Sequence, residues 1–340
     1  MRFLTRFAPM VAYTTALLAV GSCNVQRSTG SLGHQQRTTP ESAADPRPQP
    51  IEQARTNPDA GGPDTYANLS RGYDLDRPDR KWLLPDVLKE VSDISMLSEH
   101  EVACIEDEHG FVYVYDLSLA RVTDTVHFGS KGDYEGLAVA GSTVFVLRSD
   151  GKLFELASLK KHPSVQSHDL QLPVSESEGL CFDASRERLL IAPKSKNQNL
   201  FGKDIRPIFA FDLRRRTASP KPALEISLRD IRHFAKRHGL PVPREADKEG
   251  DRLRSALRFV PSAIAVHPKS GEIFVLSSAD HLLVSCTDSG RITGYALLNP
   301  ELFQQPEGLA FLPNGDLLIS NEAAGKQATL LLFRCKGQGC

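Results

Sequence analysis

A carboxylate, a glycine and an apolar residue recur together along this 340-residue chain. Tyr134-Glu135-Gly136-Leu137-Ala138-Val139 returns as Ser177-Glu178-Gly179-Leu180-Cys181-Phe182 and as Pro306-Glu307-Gly308-Leu309-Ala310-Phe311. Two weaker copies keep the apolar part: Val91-Ser92-Asp93-Ile94-Ser95-Met96, where Asp93 supplies the acid, and Pro261-Ser262-Ala263-Ile264-Ala265-Val266, which has none. Brought around one axis, these side chains would meet. Two carboxylates ~5 Å apart repel by roughly 3 kcal/mol at an effective dielectric of ~20. Protons, neighbouring basic side chains or a hard cation can relieve that repulsion. Oxygen ligands suit calcium, whereas zinc prefers nitrogen and sulfur. The expected calcium ligands are Asp93, Glu135, Glu178, Glu307, Asn321 and Glu322, with Arg148, Lys194 and Lys196 placed to hold an anionic ligand. A structural alternative stays open, in which each acid accepts hydrogen bonds from amides of the next repeat and locks the ring.

Other chemistry is poorly represented. The chain has no Gly-x-Ser-x-Gly, no His-Glu-x-x-His, no phosphate loop and no Cys-x-x-Cys. Its ten histidines are scattered, and only His281, after Asp280, falls near an expected strand end at the ring.

The elements that position the acids follow from the spacing. The copies lie in the low forties of residues apart, with one interval about twice as long. Strand-like text at that period indicates a β-propeller, each phrase opening the innermost strand of a blade. The blades open at Asp93, Glu135, Glu178, Ser262 and Glu307. Asp150-Gly151 and Asn314-Gly315 supply hairpin turns. The long interval leaves a sixth blade as the alternative to five blades plus an insertion. Helical spacing of Ile231, Phe234 and Ala235, and again of Leu253, Ala256 and Leu257, favours a basic helical insertion over 228–259. It would be either a solvated excursion over one rim or a lid. The last blade lacks a fourth strand after 330–334, and apolar residues near Trp82–Leu88 are expected to supply it.

Ahead of the propeller, assigned to 81–335, Arg2 and Arg6 precede a short apolar run ending in Leu18-Ala19-Val20-Gly21-Ser22-Cys23. That pattern reads as a signal peptide over 1–22. Small residues before Cys23 are similar to a bacterial lipobox, making Cys23 the lipidated first residue of a disordered tether over 23–80. The protein is then expected on the periplasmic side of a bacterial membrane, the outer one favoured because Asn24 rather than Asp follows Cys23. Of the other cysteines, Cys104, Cys181 and Cys286 lie in apolar strand text, while Cys335 and Cys340 flank the tail, 336–340, and can pair. A net charge of -1 gives no basis for nucleic-acid binding. A monomer with a small anionic ligand or an envelope protein as partner is expected.

Asp133-Tyr134-Glu135-Gly136-Leu137, Ser177-Glu178-Gly179-Leu180, Pro306-Glu307-Gly308-Leu309-Ala310 and Ile319-Ser320-Asn321-Glu322 together resemble the SdiA-regulated (YjiK/CarP-like) family of bacterial envelope propellers. The resemblance covers about residues 85 to 334. It implies five blades related to NHL-repeat propellers, a calcium site built from Glu135, Glu178, Glu307 and Glu322, a role in calcium-linked physiology, and phytase-like activity as a suggestion. The chain departs from the pattern at Ser262-Ala263 and in the length of its basic insertion.

Overall fold

The computed structural model describes Leu69 and residues 72–194, 198–246 and 253–336. The expected signal peptide, Cys23, Lys196, Cys340 and most of the tether lie outside the described residues.

Short apolar strands buried along their whole length, such as Ile273–Ser277 and Leu317–Asn321, build the molecule from antiparallel sheets covered on both faces. In chain order, β1 is Arg80–Leu83. β2 (Val91–Met96), β3 (Glu101–Glu106), β4 (Phe111–Asp116) and β5 (Arg121–His127) form blade one. β6 (Tyr134–Ala140), β7 (Thr143–Arg148), β8 (Lys152–Leu156) and β9 (Val165–Asp169) form blade two. Blade three has β10 (Ser177–Asp183), β11 (Arg188–Pro193) and, after the short helix α1 (Gln198–Phe201), β12 (Ile205–Asp212). Its outer layer is split between β13 (Thr217–Ala218) and β14 (Leu224–Ser227), both paired with β12. The insertion follows with α2 (Leu228–Arg237), β15 (Arg244–Ala246) and β16 (Leu253–Ser255). β17 (Ala263–Val266), β18 (Ile273–Ser277), β19 (Leu282–Cys286) and β20 (Ile292–Leu297) make blade four. β21 (Pro306–Phe311), β22 (Leu317–Asn321) and β23 (Thr329–Phe333) make blade five.

Five innermost strands close the circle. β2 packs on β6, β6 on β10, β10 on β17, β17 on β21, and β21 back on β2. The long interval therefore holds an insertion, not a sixth blade. The fourth strand of blade five is β1, with Trp82 opposite Leu330. Trp82 is buried and its indole N–H donates to the Leu117 carbonyl at 3.0 Å, tying the closing strand to blade one. Radial repetition leaves each sheet only short, protected edges. The chain joins the propeller earlier than the tether boundary at 80 implies. Leu69, Tyr73 and Leu75 are buried against blades four and five, and the Tyr73 hydroxyl donates to the Gly315 carbonyl at 2.8 Å. Polar residues between these three anchors mask them in the sequence.

The insertion fills the seam between blades three and four. Ser227 caps α2 through the Asp230 amide. Leu228, Ile231 and Ala235 lie on its buried face and join a core with Leu257, Phe259, Ile264 and Tyr295. Leu253, for which helical spacing was expected, starts a strand instead: β15 and β16 form a two-stranded hairpin. The cluster of apolar residues there serves the seam at Leu257, and local periodicity cannot distinguish that from a helix face. Arg206 pins the end of the segment by donating to the carbonyls of Phe259 and Arg258.

Candidate functional site at the channel mouth

The repeated phrase has a specific backbone form. In blade two, Tyr134 pairs with Arg148 and Gly136 with Leu147, so Glu135 occupies a β-bulge. The same register shift brackets Glu178 in blade three and Glu307 in blade five. A bulge adds one unpaired residue and re-aims its side chain. Glycine follows because the backbones crowd: a Cβ on Gly136 would lie 2.5 Å from the Glu178 carbonyl oxygen.

Register also corrects the count of acids. In blade one the bulge falls between Val91 and Asp93, so Ser92 matches Glu135, and Asp93 stands where blades two, three and five have glycine and blade four has Ala263. Ser262 holds the same position in blade four, its amide bonded to the Leu276 carbonyl. The ring thus carries glutamate in three blades and serine in two. Asp93 is 1% exposed. Its Oδ1 accepts from the Ile94 amide and its Oδ2 from the Leu137 amide of blade two, each at 2.8 Å. Burial pushes its carboxyl well above the ordinary carboxylate range, and the amides of Leu137, Ile94 and Leu309 oppose that rise. Asp93 is therefore a lock between blades, the alternative that the sequence left open. An alignment by acid type missed this, because Asp93 and the glutamates differ by one position in the phrase.

The three glutamates form one electrostatic unit. Lys194, just beyond the end of β11, places Nζ 2.7 Å from Glu178 Oε1. Burial raises the Glu178 carboxyl, and the Lys194 hydrogen bond and charge pull it back. Burial, then the charges of Glu178 and Asp133, push Glu135 up to about 9, against the charge of Lys194. Asp133 also hydrogen-bonds the Glu135 side chain. Burial, then Glu178 and Glu322, push Glu307 up to about 7, opposed by Lys194 and a hydrogen bond from Ser278. For Lys194, burial lowers the ammonium value, but Glu178, Glu135 and Glu307 outweigh it and the net shift is upward.

The acidic band continues toward blade one. Glu322 is raised by burial and then by the charges of Asp107 and Glu90, while a hydrogen bond from Gln305 opposes. Asp107 is raised by burial, Glu90 and Glu106. Asn321, 3% exposed and opposite Pro306, donates through Nδ2 to Thr329 Oγ1 at 3.0 Å, and its Oδ1 is buried without a partner. Arg148 turns the other way: it forms a two-point ion pair with Asp150, at 3.0 and 2.7 Å, and lies over Phe154. Asp107, Glu90 and Asp133 were not among the expected ligands; Asp133 directly precedes the phrase of blade two, and Glu90 and Asp107 flank the strands β2 and β3.

These oxygen donors have the chemistry of a calcium site. As the side chains stand, however, among the described residues no three acidic, histidine or cysteine side chains are grouped closely enough to hold a metal ion. Lys194 supplies the positive charge in their midst. A divalent ion here requires Lys194, whose side chain is 52% exposed, to swing outward.

No known family profile and no curated protein matches the chain by sequence. Solved structures match its shape. Glutaminyl cyclase of Myxococcus xanthus aligns over 76% of this chain and 96% of its own, with 14% identity and a TM-score of 0.48. A luciferin-regenerating enzyme aligns over 73% and 93% with 9% identity and a TM-score of 0.42. A streptogramin B lyase aligns over 76% and 74% with 12% identity and a TM-score of 0.39. At these identities and scores the likeness carries no argument about function, and by its own strand pairing the chain is a five-bladed β-propeller.

Proposed function

We propose that the protein is a membrane-tethered, monomeric propeller of the SdiA-regulated kind that binds a cation, calcium first, at its channel mouth. The observation that carries the reading is the delivery of Glu135, Glu178 and Glu307 to the ring by the same bulge in three blades, with Lys194 bonded to Glu178 and in the field of the other two. Carboxylates so placed oppose each other's ionisation, and a divalent cation relieves all three together. Glu135, Glu178 and Glu307 would hold the ion; Asp93, committed to amides, would not. A disulfide at Cys335 supports export to an oxidising compartment. Calcium bound only by the folded state must raise the melting temperature. The test is thermal unfolding with chelator or with calcium, for the native protein and for Glu178→Gln. A calcium-dependent rise that Glu178→Gln abolishes supports the reading; equal melting temperatures with and without calcium refute it.

A second reading, a phytase-like or lactonase-type hydrolase, draws on Glu135. A carboxyl that keeps its proton near neutrality, beside a lysine, is equipped as a general acid. When bound, calcium would polarise the scissile group. Glu135 would deliver a proton to the leaving oxygen, and Lys194 would hold an anionic substituent. Turnover of phosphate esters or lactones that falls at least a hundredfold in Glu135→Gln, with unchanged folding, is the result this reading requires.

A further inference from the structure

The insertion concentrates positive charge in a chain that is otherwise close to neutral. Residues 228–259 hold nine Lys and Arg against five Asp and Glu, while the whole protein carries a net charge of -1. On α2 that charge is sorted by face. Leu228, Ile231 and Ala235 are buried in the seam, and Arg229, Asp230, His233, Lys236 and Arg237 are exposed. Offsets of four, seven and eight from Arg229 put His233, Lys236 and Arg237 on its side of the helix. Elsewhere the exposed arginines are matched: Arg186 reaches Asp288, Arg214 reaches Glu187 and Arg215 reaches Asp212. On α2 only Arg232, at the margin of the face, has such a partner, Asp204 at 3.7 Å. Among the described residues no acidic side chain pairs with Arg229, Lys236 or Arg237.

The place of this face matters as much as its charge. α2 packs on β20, where the Tyr295 hydroxyl donates to the Pro241 carbonyl at 2.7 Å. Gly294, one residue before Tyr295, points to the opposite side of the sheet. A Cβ there would lie 2.5 Å from Leu69 Cδ2. Leu69 is the first described residue of the chain. The amino-terminal segment and the basic helix therefore meet the propeller at the same outer strand, one on each side of blade four.

We propose that the exposed face of α2 docks on an anionic phospholipid surface, that of the membrane holding the amino-terminal tether. The inference rests on the tethered reading above and adds the side on which the propeller lies against its membrane. A chain held at Cys23 and entering the fold at Leu69 raises the local concentration of lipid headgroups at the rim of blade four. Each Lys or Arg close to an anionic surface improves partition about fivefold, so Arg229, Lys236 and Arg237 together supply about a hundredfold. The buried face of α2 is spent on the seam, so the contact is electrostatic and salt releases it.

The test is cosedimentation of the full chain with vesicles of phosphatidylcholine, alone or mixed with phosphatidylglycerol, using Cys23→Ser so that no lipid anchor contributes. In that background Arg229→Gln/Lys236→Gln/Arg237→Gln is compared with Arg121→Gln/Lys160→Gln/Lys161→Gln, which removes three exposed basic residues from blades one and two. Both variants lose the same charge, and the exposed positions leave the melting temperature unchanged. The parent is expected to bind the anionic vesicles at least tenfold tighter than the neutral ones at low salt, and to lose that preference at ~0.5 M salt. The α2 variant should erase the preference, and the blade one and two variant should keep it within threefold. Equal binding to both vesicles, or a preference that survives the α2 variant or falls equally in both variants, overturns the proposal. Sedimentation of the lipidated native chain with either vesicle, while Cys23→Ser shows no anionic preference, defeats this inference and leaves the tether standing. An α2-dependent preference in a chain that carries no lipid at Cys23 defeats the tether and keeps the docking face.

Discussion

Replacing Glu307 by glutamine should stabilise the protein, and should do so only above mildly acidic pH. Glu307 rises from its ordinary 4.5 to about 7 in the folded protein, through burial first and then the charges of Glu178 and Glu322. A carboxyl with a raised folded-state value binds its proton more tightly folded than unfolded. Its contribution is fully present below about pH 4.5 and is lost as pH climbs to about 7. The shift corresponds to roughly 3 kcal/mol at 1.36 kcal/mol per unit. Glu307 is partly solvent-accessible, and halving the figure for screening leaves about 1.5 kcal/mol. For a domain of this size that is on the order of 3–6 °C in Tm. Glutamine keeps the shape and the hydrogen-bonding capacity toward Ser278 but never ionises. The assay is thermal unfolding followed by circular dichroism at pH 4.5, 6, 7 and 8, in chelator. Native protein and Glu307→Gln should coincide at pH 4.5, diverge through pH 6, and reach the full difference by pH 8. Parallel curves with no pH-dependent gap would refute the claim that the mouth carboxyls are mutually frustrated.

Four further outcomes follow from the geometry. Gly136→Ala should destabilise by about 1–3 kcal/mol in urea, because the new methyl meets the Glu178 carbonyl of the neighbouring blade rather than a movable side chain. Asp93→Ala strands the amides of Ile94 and Leu137 in the core and should lose about 2–4 kcal/mol in the same assay. Arg206→Met releases the carbonyls of Arg258 and Phe259, so limited proteolysis should cut the insertion at least tenfold faster while the blades stay intact. Lys194→Met removes the charge that opposes the rise of Glu135 and Glu307, and an NMR titration of these carboxyls should show both moving further up.

The architecture was legible because propeller blades repeat their inner strand, and a phrase such as Glu178-Gly179-Leu180 survives wherever backbones must crowd. The closing strand at Trp82 was legible for a related reason: a sheet short of one strand demands a partner from the other chain end. Position within the phrase was harder to read. Asp93 looks like another mouth acid until the bulge register puts it in a glycine's place, where its carboxylate faces amides. Arg148 ends β7 and Lys194 follows the end of β11, yet Asp150 two residues on captures the first, while the second reaches Glu178. Such choices depend on which partner lies closer in space, and strand spacing carries no record of them. The seam-filling role of α2 was hidden likewise, since a helix buried on one face reads the same whether it covers a rim or wedges between blades.

The pairing of β1 with β23 has a consequence for how the molecule is made. A chain emerging from its amino end delivers the final blade's outer strand first and its other three strands last. Until residues near 333 arrive, Arg80–Leu83 has no partner and blade one has no neighbour on one side. Any stall in synthesis leaves a crescent with two unsatisfied flanks. A pull on the amino-terminal side meets the anchors Leu69, Tyr73 and Leu75 first, and once they yield the load passes directly to the strand that completes the circle.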